Sequence, residues 1–103
     1  MRMLVDHLRR SVRLTDERRE HILQHPEMTG VEDQLEITLR DPELVIRQSS
    51  DPRITLSYRF RRGTLVGDKW LCVVVKYIET DAFVLTAYLT DKPKQGDRLW
   101  PRT

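Results

Sequence analysis

Polar and apolar positions alternate most regularly in the second half of the chain. Ile54, Leu56, Tyr58 and Phe60 interleave with Thr55, Ser57, Arg59 and Arg61, the period-two pattern of a strand with one covered face. Phe83, Leu85, Ala87 and Leu89 interleave in the same way with Val84, Thr86, Tyr88 and Thr90. Between them, Trp70–Tyr77 is a continuous β-rich run, as a strand covered on both faces would be. Leu44–Gln48 predicts a shorter strand, ended by the turn cluster Ser49-Ser50-Asp51-Pro52. The first half reads differently. After a short first segment and an extended Ser11–Leu14, Thr15 is a good helix N-cap with Asp16 and Glu17 behind it. That helix should run to about Gln24, because Pro26 disfavours helical geometry at His25. A second helix, about Val31–Arg40, carries Val31, Leu35, Thr38 and Leu39 on one stripe and stops at Asp41-Pro42. From Asp91 the chain is polar, with Leu99-Trp100 as an anchor.

Helices first and strands after is the α+β order. The pattern therefore predicts two N-terminal helices followed by a four-stranded antiparallel meander. The rows Leu56/Tyr58/Phe60, Leu71/Val73/Val75 and Leu85/Ala87/Leu89 should pack under the helices. Parity then gathers Lys76, Thr86, Tyr88, Ser57 and Arg59 on the other face, with Arg47 able to join them. Lys76 has apolar neighbours there (Trp70, Cys72, Val74, Val84), and the strands bring no carboxylate to that face. A positive floor of this kind suits an anion. A polar, solvent-facing half of an antiparallel sheet explains it as well.

A chain of 103 residues suits one domain over residues 1–103, with its core at about 11–100. The longest purely apolar run, Leu71–Val75, is far too short to span a bilayer. The start lacks the apolar stretch of a secretory signal, and one cysteine, Cys72, has no internal disulfide partner. These features predict a cytoplasmic protein that makes no membrane contact. The net charge is only +2, but four arginines and no acid lie between Arg53 and Arg62. Such a patch suits nucleic-acid phosphate; a charged, solvated strand edge accounts for it too. His21 and His25 are four apart and share a helix face if the helix reaches that far. The glutamate that a His-Glu-x-x-His zinc motif needs is replaced by Ile22. Neither metal nor cofactor is therefore expected, and the two histidines are candidates for helix capping, packing or acid–base work.

Several strings resemble one family. Leu14–Glu27, Thr38–Glu43, Val73–Lys76, Phe83–Tyr88, Lys94-Gln95-Gly96 and Trp100 together resemble the phage-associated branch of the barnase–EndoU–colicin–RelE-like nuclease superfamily. The resemblance implies a metal-independent endoribonuclease, toxin-like, in which the 2′-hydroxyl attacks the phosphorus. It implies His21, Lys76, Thr86, Tyr88 and Arg59 as catalytic residues. Such chemistry would add His25, Arg47, Arg61 and Ser57 as substrate contacts, with Trp70 or Tyr58 stacking a base, although core packing suits Tyr58 better. Arg59 and Arg61 compete for one basic position, and parity favours Arg59. Gln24 departs from the pattern, standing where an arginine is common. The implied partners are RNA, free or on the ribosome, and a cognate antitoxin or immunity protein. The same face equally suits a non-catalytic RNA- or protein-binding module, and the superfamily fold alone does not decide between them.

Overall fold

The computed structural model describes residues 1–101, and Arg102 and Thr103, at the end of the polar tail, lie outside the described residues. Seven strands form one sheet: β1 Arg2–Val5, β2 Ser11–Leu14, β3 Leu44–Arg47, β4 Ile54–Thr64, β5 Gly67–Ile78, β6 Asp81–Thr90 and β7 Asp97–Trp100. Their order across the sheet is β1-β2-β6-β5-β4-β3-β7. Neighbours are antiparallel except β2 and β6, which run parallel. The expected four-stranded meander is therefore only the centre of a seven-stranded mixed sheet. Three further strands join it: β1 from the short first segment, β2 from the expected extended Ser11–Leu14, and β7 from the polar tail. The first two precede the helices, so the helices are not N-terminal. Strands this short carry too few alternations to register as a period.

Two short helices connect β2 to β3: α1 Asp16–Leu23 and α2 Leu35–Arg40, separated by single 3-10 turns at Pro26–Met28 and Glu32–Gln34. Thr15 caps α1 by accepting a hydrogen bond from the Arg18 amide at 3.2 Å, which satisfies one of the orphan donors of the first turn. The expected second helix thus begins with a 3-10 turn and becomes α-helical only at Leu35.

Both faces of the sheet are buried, so there are two cores. On the helix side Ile22, Met28, Leu35 and Leu39 pack on Leu4, Val12, Leu71, Val73, Val75, Val84 and Ala87. On the other side Ile46, Leu56, Tyr58, Cys72 and Val74 form a smaller cluster, edged by Trp70, Leu85 and Tyr88. The register explains the division. Leu56 faces Val74, Tyr58 faces Cys72 and Phe60 faces Trp70, and directly opposed residues share a face. The row Leu56/Tyr58/Phe60 therefore lies away from the helices, the reverse of the sequence expectation. A bulge opposite Val74–Val75 splits the β6 row, leaving Leu85 with the second cluster while Ala87 joins the helix side. A β5 that is apolar on both faces gives no amphipathic cue to fix its neighbours.

The second core is covered by the crossover from β6 to β7. The Lys94 amide donates to the Tyr58 hydroxyl at 3.1 Å, and the Lys94 ammonium lies 6.0 Å from the centre of the Tyr88 ring. A Cβ on Gly96 would come within 2.6 Å of the Arg47 carbonyl oxygen and of Ile46 Cγ2. Only glycine lets this strap lie so close to β3. The sheet also curls: α2 packs against β1 as well as β4 and β5. At one end His7, just past β1, comes 6.0 Å from the ring of Trp100 on β7, although β1 and β7 are the two edges of the sheet.

Candidate functional site

The curl creates a cleft of about 720 Å³ on the helix side of the sheet, beyond the helices. One wall is the β1–β2 turn, and Asp6 builds it. The Asp6 amide donates to the Arg10 carbonyl at 3.0 Å, the Arg9 amide donates to the Asp6 carbonyl at 3.0 Å, and Arg9 takes a positive φ of 65°. A left-handed residue after such a turn lets two strands meet with the sheet's own twist. The Asp6 carboxylate, only 1% exposed, accepts four hydrogen bonds. They come from the Leu8 amide at 2.9 Å, the Arg10 amide at 2.8 Å, Arg10 Nε at 2.7 Å and the Tyr77 hydroxyl at 2.7 Å. Burial alone would push this carboxyl up. The bonds from Tyr77 and Arg10 and the Arg10 charge outweigh it and hold the group below its usual range. The Tyr77 hydroxyl is pushed up by burial and by its bond to that carboxylate.

Four arginines line the cleft: Arg10, Arg47, Arg53 and Arg98. Arg10 lies 4.2 Å from the centre of the Tyr77 ring, which together with Asp6 fixes its orientation. Arg53 is gripped by Asp51 through two bonds of 3.0 and 3.1 Å, and the Arg53 carbonyl accepts from the Tyr77 amide at 2.8 Å. Arg47 stands 3.5 Å from Asp97. Arg98 has no carboxylate partner among the described residues. His7 and Trp100 complete the mouth. Burial, reinforced by Arg10 and opposed by Asp6, lowers the His7 pKa, which favours its neutral imidazole. Its Nδ1 is buried without a partner among the described residues. The cleft thus offers forked donors to an oxyanion, a neutral imidazole able to take a proton, and an indole that is 42% exposed.

The residues expected to form a site are distributed over both faces. Lys76, Thr86 and Tyr88 do share the face away from the helices: Thr86 faces Val74 and Tyr88 faces Cys72. The strap covers part of this row, however. The Tyr88 hydroxyl is buried and has no hydrogen-bond partner among the described residues. Burial pushes it up, as it pushes Tyr58 to about 12 and the Cys72 thiol to about 11. Ser57 and Arg59 are not on that face, because they oppose Val73 and Leu71 on the helix side. Ser57 is buried there, and Arg59 donates to the Asp41 carbonyl at 2.6 Å. Arg61 faces Lys69 on the same side, where burial and Arg59 lower its pKa. His21 and His25 are exposed at the end of α1, their rings 6.4 Å apart. The sheet stands between these histidines and Lys76. Of the expected residues only Arg47 lines the cleft.

Asp6, Arg10, Tyr77 and Arg98 were not among the expected site residues. His7 is an isolated imidazole in the sequence, and Arg53 stood out only as one member of the basic patch. One signal was present: an aspartate heading a short polar segment between two extended stretches is the signature of a turn. Among the described residues, no three His, Cys, Asp or Glu side chains gather as a metal site would require. Nor is any helix there long and apolar enough to cross a membrane. No described protein family, no curated protein and no solved structure matches this chain.

Proposed function

We propose that the protein binds RNA in the arginine-lined cleft and cleaves it there as a metal-independent endoribonuclease, with toxin-like activity held in check by a protein partner. The observation that carries this reading is that Arg10, Arg47, Arg53 and Arg98 line one cleft with His7, whose neutral form burial favours, and the exposed Trp100. In this scheme His7 takes the proton from the 2′-hydroxyl as that oxygen attacks the phosphorus. The bond to the 5′-oxygen breaks, leaving a 2′,3′-cyclic phosphate, and water protonates the departing oxygen. The guanidiniums hold the non-bridging oxygens, where preorganised charge stabilises the transition state most. Trp100 stacks a flanking base.

RNA incubated with the protein in excess chelator tests this. Cleavage should occur, should fall by about a hundredfold or more in His7→Ala, and should leave cyclic-phosphate ends. One observation favours a second reading, a binding module without turnover. His21 and Lys76, which the resemblance assigns to a single site, lie on opposite sides of the sheet. Binding that weakens with salt, without cleavage of naked or ribosome-bound RNA, would establish that reading instead.

A further inference from the structure

The two edges of the sheet are unlike. β7 is followed directly by Pro101 and carries Asp97 and Arg98, the charges and proline by which an edge is kept from pairing. β1 carries none of these except Arg2, whose guanidinium lies 3.5 Å from Glu36. The β1–β2 turn shows which amides of that edge are free. Because the Asp6 amide bonds to the Arg10 carbonyl, Asp6 and Arg10 are a hydrogen-bonded pair. In an antiparallel ladder such pairs alternate. Leu4–Val12 and Arg2–Leu14 are therefore bonded pairs, and the amides and carbonyls of Met3 and Val5 point away from β2. These two residues are also 50% and 36% exposed, while Leu4 between them is buried. Beside Val5 lies a hollow of about 410 Å³ lined by Asp6, His7, Arg9 and Arg40 as well. Asp6 is saturated by its four donors, whereas neither Arg9 nor Arg40 has a carboxylate partner among the described residues.

We propose that the free edge of β1 docks a partner protein by accepting an extended acidic segment as an eighth strand. The outward amides of Met3 and Val5 pair with the segment's main chain, its apolar residues cover the Met3 and Val5 side chains, and a carboxylate enters the hollow between Arg9 and Arg40. Strand addition of this kind takes affinity from the main chain and specificity from alternate side-chain pockets. A second copy of this chain fits worse. Antiparallel β1–β1 pairing would bring Arg2 of one chain toward the Arg9–Arg40 pair of the other. The inference is independent of the chemistry assigned to the cleft.

The test uses the whole protein and a fluorescein-labelled peptide of alternating valine and glutamate, with a valine–lysine peptide as its counterpart. Anisotropy should show the glutamate peptide binding at least about tenfold tighter, with an advantage that shrinks as salt is added. Val5→Pro removes one outward donor while keeping every β1–β2 bond, and proline is tolerated at such a position. It should weaken binding about tenfold, and Arg40→Gln should erase most of the preference for glutamate. If Val5→Pro does not fold, a glutamate peptide N-methylated at every second residue, unable to donate along one edge, should bind about tenfold more weakly than its parent. Equal binding of the two unmethylated peptides would overturn the proposal. So would a folded Val5→Pro that binds normally, or an N-methylated peptide as good as its parent. Self-association of the protein that Val5→Pro abolishes would assign the edge to a second copy and overturn it as well.

Discussion

Replacing Asp6 with alanine removes the acceptor for four donors at once. The Leu8 and Arg10 amides lie in a part-buried turn, and losing each bond costs about 1 kcal/mol. Arg10 is nearly half exposed, so water replaces much of that ion pair, and its share is discounted to under about 1 kcal/mol. The Tyr77 hydroxyl loses a charged acceptor in a more buried setting, for about 1.5 kcal/mol. The sum is about 3.5–4.5 kcal/mol, a large fraction of the stability of a domain this size. Urea unfolding should show that loss at unchanged m-value, with a fall in melting temperature of more than about 10 °C. Asp6→Asn keeps an acceptor for the two amides and should lose about half as much. The pH dependence has a definite sign. Because the folded pKa of Asp6 is depressed, its contribution is present above the unfolded value of about 3.9 and is lost as pH falls through the folded one. Asp6→Asn should flatten stability in that acid range. A loss in Asp6→Ala below about 0.5 kcal/mol would refute the view that this carboxylate holds the turn, and with it the cleft wall.

Gly96→Ala puts a methyl group against the Arg47 carbonyl and Ile46. It should cost about 1–3 kcal/mol by forcing the strap off β3, and near-ultraviolet circular dichroism should report the loosened Tyr58 and Tyr88. On the proposed function, Arg98→Ala should weaken RNA binding at every sequence alike and reduce the slope of log K against log salt by about one.

Much of the central sheet can be read directly from the chain. Ile54–Arg61, Trp70–Tyr77 and Phe83–Thr90 fall inside β4, β5 and β6, because long strands repeat their period often enough to be seen. Thr15 and Pro26 bracket α1 through local rules of capping and proline geometry. The assignment of faces is another matter. It needs the register of β4 on β5, and Leu71–Val75 is apolar on both sides because helices cover one face and the strap the other. Ser57 and Arg59 were placed with Lys76 for want of that information. The cleft was illegible for a related reason. His7, Arg53 and Trp100 come from three separate connections or edges, and no spacing between them encodes the curl that makes them neighbours.

That curl has a mechanical consequence. β1 and β7 are the two ends of the strand order, so no main-chain ladder joins them. Where they approach, a histidine and a tryptophan ring lie 6.0 Å apart across the gap. The ladder bonds lie across the seven strands, and the seam has none. Uncurling the sheet therefore widens the mouth without breaking a single strand pairing, much as a split ring opens at its cut. The seam is held by side-chain packing alone, so opening it costs contacts between side chains and not main-chain hydrogen bonds.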